Sequence, residues 1–310
     1  MISKTSKIFV AGHKGLAGSA IYRNLILKGY SNVVTRTHLD LDLESSIAVD
    51  EFFQSECPEI IFLAAAKVGG IKANNEFRAD FISKNLSIQC NVINSSIKYE
   101  TKKLIFLGSN CIYPKNSIQP ITEDSLLTGP LETTNEPYAI AKIAGIKMIE
   151  AVNYQFGKEY FSVMPASMYG MHDNYDLDNG HVLASLLLRF HHAKSSNENT
   201  IKLWGSGSPK REFLFSDDMA EACIFLVENN FSDSYINIGT GKDISIMDLA
   251  DLIAKVVGYN GKILFDKSKP DGAPRKLLDS TRINNLGWKP KVNLLDGIEL
   301  SYAWMLEGIN

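Results

Sequence analysis

Ile8-Phe9-Val10-Ala11-Gly12-His13-Lys14-Gly15-Leu16-Ala17-Gly18 sets a short apolar run, a glycine-punctuated turn and the start of a helical pattern in direct succession. An apolar strand that ends in glycines and opens a helix is the unit that cradles a dinucleotide diphosphate. Gly12 is expected to make the tight turn, Gly15 to let the backbone approach the pyrophosphate, and Gly18 to pack helix on sheet. His13, Lys14, Leu16 and Ala17 complete this turn. The helix, expected from about Leu16 to Lys28, aims free N–H groups and a partial positive charge at the phosphates.

Downstream, short apolar runs alternate with helical periods. Strands are expected at Val33–Thr35, Ile60–Ala64, Leu104–Leu107 and Phe161–Met164. Helices are expected near Ser45–Ser55, Asn75–Lys98 and Pro137–Phe156. Continuous apolar runs separated by helices indicate parallel strands covered on both faces, hence an α/β doubly wound sheet. After about Pro165 the rhythm breaks. Residues 170–211 are rich in Asn, Asp, Gly, Ser and His, with one helix near Val182–Lys194. Strand and helix return at Arg211–Phe215, Asp217–Glu228 and Tyr235–Ile238, followed by helices near Met247–Val257 and Leu294–Glu307. The expected organisation is a nucleotide-binding region, 1–168 plus about 212–240, interleaved with a smaller region, about 169–211 plus 241–310.

Tyr138-Ala139-Ile140-Ala141-Lys142 lies in the helix after the fourth long run. Residues i and i+4 share a helix face, so phenol and ammonium can meet in one site. A nearby ammonium is expected to favour phenolate and bring the Tyr138 pKa towards neutrality, which suits a proton donor to a carbonyl. Ser109 follows the Leu104–Leu107 strand, at the carboxyl edge where ligands bind such sheets. Its hydroxyl is placed to polarise the same substrate oxygen, and Lys142 to bond a cofactor ribose. At the end of the second strand, where NAD sites carry an acid, Thr35-Arg36-Thr37-His38 is basic. With Lys14, Arg36 favours the 2′-phosphate of NADP.

Composition limits the partners. Net charge is −3 over 310 residues, against a surface built for nucleic acid or anionic lipid. The cysteines (Cys57, Cys90, Cys111, Cys223) have neither CxxC nor metal-ligand spacing and read as reduced thiols. No apolar run is long enough to span a bilayer, and the first residues lack a signal-peptide core. The expected compartment is the cytoplasm.

The glycine spacing, GxxGxxG, resembles the extended branch of the short-chain dehydrogenases. The resemblance narrows with Gly108-Ser109-Asn110-Cys111-Ile112-Tyr113-Pro114 and Asn135-Glu136-Pro137-Tyr138-Ala139-Ile140-Ala141-Lys142. It narrows further with Ala64-Ala65-Ala66-Lys67-Val68-Gly69-Gly70-Ile71, Trp204-Gly205-Ser206-Gly207-Ser208-Pro209-Lys210-Arg211-Glu212-Phe213 and Lys269-Pro270-Asp271-Gly272. Together these resemble the GDP-L-fucose synthases over essentially the whole chain. That family epimerises C3 and C5 of GDP-4-keto-6-deoxy-D-mannose and reduces C4 with NADPH.

The resemblance implies that Cys111 is the base and His181 the acid of epimerisation. It implies that Leu107, Gly108, Pro165, Ala166, Ser167, Met168, Lys142 and His181 adjoin NADPH or NADP+, with Lys14, Arg36 and His38 at its 2′-phosphate. Arg189, Trp204, Arg211 and Asp271 would surround the GDP-linked 4-keto-deoxyhexose. It also implies a homodimer through the helices of about residues 80–98 and 137–156. The family usually has Ser or Thr at Asn110, Thr-Asn at Ala166-Ser167 and Pro at Met171. Some members place two arginines on the 2′-phosphate, where this chain has Lys14 and His38. A dehydratase would need an acidic pair after Ser109, which is absent. A synthase of a related sugar such as GDP-L-colitose, or a silent NADP-binding protein, are the alternatives.

Overall fold

The computed structural model describes residues 2–177, 180–269 and 271–309, so Pro270 of the tail motif lies outside the described residues. The first half runs β1 (Ile8–Ala11), α1 (Leu16–Leu27), β2 (Val33–Val34), α2 (Ser46–Glu56), β3 (Ile60–Leu63), α3 (Ile71–Glu76), α4 (Arg78–Lys98), β4 (Lys103–Leu107), α5 (Glu136–Phe156) and β5 (Phe161–Pro165). Then follow β6 (Ser167–Tyr169), α6 (Val182–Ser195), β7 (Thr200–Trp204), β8 (Lys210–Phe215), α7 (Ser216–Glu228) and β9 (Tyr235–Ile238). The chain continues through β10 (Asp243–Ser245), α8 (Ile246–Val257), β11 (Lys262–Asp266), β12 (Arg275–Lys276), α9 (Thr281–Asn285) and α10 (Leu294–Ile309).

Six strands form one parallel sheet in the order β2-β1-β3-β4-β5-β9. The connection from β1 to β2 runs one way along the sheet and those from β2 to β5 run back. Right-handed crossovers therefore put α1 on one face and α2, α4 and α5 on the other. Packing agrees: α1 lies on α7, and α4 on α5 and α2. With both faces covered, β1, β3, β4 and β5 are buried at every residue, as their largely apolar runs require.

The order reverses between β1 and β3, and the crevice at their carboxyl ends is where such sheets bind ligands. Backbone crowding there explains two glycines. Gly12 has φ +87°, and a side chain on it would come within 2.7 Å of the Ala65 nitrogen just past β3. A Cβ on Gly18 would stand 2.1 Å from the Gly12 carbonyl oxygen. Gly18 thus packs helix α1 on the turn, and Gly12 packs the turn on the sheet, which refines the roles expected for them.

A second core forms around Leu187, Phe190, Leu249 and Ile253, gathering α6, α8 and α10 on β7 and β8. The strands β7, β10, β11 and β12 were not expected from sequence. Strands β10 and β12 have only three and two residues, and the five-residue β7 and β11 lie at partly exposed positions, Thr200–Trp204 alternating exposed and buried residues. The helix expected at 75–98 is broken at Phe77, where ψ is 40°. Apolar period reports a buried face, not unbroken hydrogen bonding. Leu278, Ile283 and Trp288, from the stretch after β12, pack into the first core.

Glu212 ties the two regions together. Its buried carboxylate accepts from the Thr240 and Gly241 amides at 2.6 and 2.7 Å and from the Leu278 amide at 2.8 Å. Burial pushes its pKa up, and the three backbone donors oppose that. Glu212→Ala leaves these amides without their acceptor. A loss of about 3 kcal/mol or more in the free energy of urea unfolding is expected, since each orphaned donor costs about 1–3 kcal/mol.

Candidate active site

The turn at the end of β1 suits an anion. No side chain caps α1 and no acidic residue stands in its first turn. Gly15 is exposed, and a Cβ there would meet only the Gly12 oxygen, at 3.6 Å. Uncapped helix N–H groups beside an open glycine fit a diphosphate. Leu16 is half-buried and Ala17 buried behind them. The ring of His13 has its pKa lowered by burial and by the Lys14 charge, and its Nδ1 is buried without a partner.

The basic edge expected beside this turn is more mixed. Lys14 and His38 are exposed, but Arg36 Nη2 donates to Glu56 Oε1 at 2.6 Å and Nη1 to the Thr35 carbonyl. Asp40 lies within the field of Arg36 and Lys14. Its carboxyl is held below the usual range mainly by hydrogen bonds from Thr37. Tertiary contact thus brings acids, Glu56 and Asp40, to the cations of this edge.

The carboxyl ends of β4 and β5 carry the next group. Leu107 ends β4, and the Gly108 amide donates to the Val163 carbonyl of β5 at 2.9 Å. Pro165 ends β5, the Ala166 amide donates to the Ile238 carbonyl, and Ser167 and Met168 open β6. Ser109 is extended, and its hydroxyl accepts from the Cys111 amide at 3.2 Å, capping a single turn that carries the thiol. Burial on α5 delivers the other residues. Lys142 is 3% exposed, and its Nζ donates to the Leu107 carbonyl at 2.7 Å.

Tyr138, one turn earlier, sits edge-on to Phe81 of α4, with the Ser109 hydroxyl near enough to its phenol to act on its ionisation. The sulfur of Cys111 is close enough to act electrostatically on Tyr138 and on Arg211. Ser109, Cys111, Tyr138, Lys142 and Arg211 are thus gathered at one sheet edge.

Electrostatics correct one expectation. Lys142 does not pull the Tyr138 pKa down. Burial pushes the phenol up, with the Cys111 charge adding to it, and only the Ser109 hydroxyl lowers it. Burial also pushes Lys142 down, to about 7. The ammonium stands 5.9 Å from the Tyr138 ring and spends its hydrogen bond on Leu107. Desolvation therefore wins over the attraction that YxxxK spacing suggests.

His181 precedes α6, whose Leu183, Leu187 and Phe190 anchor it in the second core. Its Nδ1 lies 3.4 Å from Asp173 Oδ1, and that hydrogen bond raises the imidazole pKa against the opposing effect of burial. Asp173 is buried, yet no sequence signal singled it out, because it stands eight positions before His181 in no recognisable motif. The loop is clamped by α10: Trp304 packs on His172 at 4.7 Å and Tyr175 at 5.8 Å, and the Tyr175 hydroxyl donates to the Ser301 carbonyl.

Arg189 Nη1 donates to the Lys202 carbonyl at 3.3 Å. Trp204 is 71% exposed, too open for a core residue, with Lys269 Nζ 5.5 Å from its ring. Asp271 accepts from the Ser206 amide and hydroxyl, and its charge acts on Arg211. Among the described residues no group of His, Cys, Asp and Glu could hold a metal ion, and no helix is long and apolar enough to cross a membrane.

Residues 8–239, which contain both the glycine turn and the YxxxK helix, match the NAD dependent epimerase/dehydratase family. The chain belongs to that family. Within it, GDP-L-fucose synthase of Escherichia coli (strain K12) is 52% identical over 310 residues, covering 97% of each chain. GDP-L-fucose synthase 1 of Arabidopsis thaliana is also 52% identical, over all of this chain and 96% of the relative. In three dimensions, the NADP-bound GDP-mannoheptose C4 reductase MlghC of Campylobacter jejuni aligns with a TM-score of 0.91. It is 40% identical and covers 99% of this chain and 100% of its own. The epimerase/dehydratase fold accounts for the sheet order, and the doubly wound α/β architecture expected from sequence is the one observed.

Asp173 holds the proton on His181, so the imidazolium persists to higher pH than in an ordinary histidine. Asp173→Asn removes that charge. The titration midpoint of His181, followed by NMR, is expected to fall, so that the ring loses its proton at lower pH than in the wild type.

Proposed function

We propose that this chain converts GDP-4-keto-6-deoxy-D-mannose to GDP-L-fucose, by epimerisation at C3 and C5 followed by NADPH-dependent reduction at C4. The observation that carries the proposal is the gathering of Cys111 with Ser109 and Tyr138 at the β4 edge, one turn from Lys142. It is supported by 52% identity over the full chain to GDP-L-fucose synthases. The first region, about 1–168 plus 212–240, holds NADP. The second, about 169–211 plus 241–310, holds the GDP-sugar.

The open turn Gly12–Gly18 receives the cofactor diphosphate, with Lys14, Arg36 and His38 towards the 2′-phosphate. Residues 165–168, Leu107 and Gly108 border the nicotinamide, with His181 nearby. When bound, NADPH supplies a hydride to the C4 carbon. Arg189 and Arg211 suit diphosphate by bidentate bonding, Trp204 offers an aromatic wall, and Asp271 holds the adjoining loop.

The chemistry of the residues follows from their surroundings. A C4 carbonyl acidifies the C–H bonds on either side, and Cys111 removes that proton. Ser109 and Tyr138 hydrogen-bond the carbonyl oxygen, on which the enolate charge collects. His181, kept protonated by Asp173, returns a proton on the opposite face and so inverts the centre. For reduction, the same Tyr138 hydroxyl gives its proton to the C4 oxygen. Its raised pKa keeps it a phenol at neutral pH, as a donor requires. The protein acts in the cytoplasm as a homodimer through α4 and α5. Ile140 and Tyr154 of α5, both exposed, lie on nearly the same helix face.

The test is turnover of GDP-4-keto-6-deoxy-D-mannose with NADPH in heavy water. Deuterium at both C3 and C5 of a GDP-L-fucose product is expected. Label at C5 alone would indicate a colitose-type activity, and cofactor binding without turnover a silent binder. Tyr138→Phe is expected to slow reduction about 10²–10⁴-fold while exchange at C3 or C5 persists. Cys111→Ser is expected to abolish formation of the L-sugar.

A further inference from the structure

We infer that Asn135 is the positioning residue for Cys111: its side-chain amide donates to the sulfur and favours the thiolate that acts as base. The inference rests on the epimerase role proposed for Cys111 and adds the residue that prepares it.

Asn135 stands immediately before α5, a position where asparagine is preferred because its side-chain oxygen can cap the first free helix amides. Here it forms no cap bond. The second helical residue is Pro137, which has no N–H to be capped. The side chain turns instead across the site, and Nδ2 lies 3.2 Å from Cys111 Sγ. Its Oδ1 is buried and has no partner. An amide that forgoes both its cap bond and a partner for its oxygen is held in place by what its N–H meets. A neutral thiol is a weak acceptor, whereas a thiolate makes a charge-assisted bond about twice as strong as a neutral one.

The other groups facing the sulfur set the balance between its two forms. Arg211, from β8, supplies a guanidinium whose charge interacts with it. Tyr138, from α5, faces it as a neutral phenol. Asn110 Oδ1, at 3.8 Å, accepts from the sulfur when it carries a proton. Deprotonation therefore trades a long contact to Asn110 for a stronger bond from Asn135 and an attraction to Arg211. The backbone holds the sulfur still for this, through the bond from the Cys111 amide to the Ser109 hydroxyl.

The inference is tested on the full-length protein without substrate, by iodoacetamide alkylation of Cys111 across pH. The peptide carrying Cys111 is followed by mass spectrometry, apart from those of Cys57, Cys90 and Cys223. In Asn135→Ala the half-maximal pH of alkylation is expected to rise by about one unit, so that reaction on the acid side slows about tenfold. In Asn135→Asp, of nearly the same shape, the rise is larger because a carboxylate opposes the thiolate.

The second readout is deuterium wash-in from heavy water at C3 and C5 of GDP-4-keto-6-deoxy-D-mannose. It is expected to fall about tenfold or more in both variants at neutral pH and to recover as pH is raised. A merely structural role would lower wash-in at every pH alike. Alkylation profiles that coincide with wild type in both variants overturn the inference and leave the proposed function standing. Shifted profiles with no wash-in by the wild type would retain the bond to sulfur and overturn the proposed reaction.

Discussion

A buried ammonium bonded to the last carbonyl of a strand sets how the long helix α5 lies on the sheet. Lys142 reaches Leu107 at 2.7 Å, and with that contact made the rest of the helix has little freedom. Tyr138 must then stand one turn back, beside Ser109 and Cys111, which the same strand delivers two and four residues after Leu107. The bond is costly to maintain, because burial strips water from the amine and pulls its pKa to about 7. A site that tolerates such a group has a reason to keep it, and the proposed proton transfers at Tyr138 supply one.

The two regions meet through a few polar and aromatic side chains beside the site. Glu212 draws the 239–241 turn and Leu278 onto β8, and Arg211 beside it faces Cys111. On the other flank, α10 clamps the loop bearing Asp173, and Asp173 holds His181. The proposed base therefore sits on the sheet of the first region, and the proposed acid on a helix whose packing lies in the second. Placing them on separate bodies suits a reaction in which a proton leaves one face of a sugar and arrives at the other.

The proposed acid and base also differ in how their surroundings treat charge. His181 has a carboxylate partner, which favours the imidazolium. Cys111 has an amide donor at its sulfur and the Arg211 guanidinium nearby. Tyr138 lies between polar groups yet is pushed to remain a phenol. Opposed environments around neighbouring titratable groups are how one pocket hosts acid and base roles together.

Most of the nucleotide-binding half was legible in the chain itself. Apolar runs such as Ile8–Ala11 and Ile60–Leu63, the glycine turn and the YxxxK helix are local patterns, each written within about ten residues, and side-chain periodicity suffices to read them. The polar stretch from 170 to 211 and the tail were less legible. A strand such as Lys262–Asp266 is partly exposed, and its pairing with Thr200–Trp204 is set across some sixty residues. Tertiary structure alone decided the couplings: Asn135 to Cys111, Asp173 to His181, Arg36 to Glu56 and Glu212 to the 239–241 turn. The reason is physical. A motif states which groups are available and on which face they lie, but burial and the approach of distant side chains set their charge and hydrogen bonds, and those exist only once the chain has closed on itself.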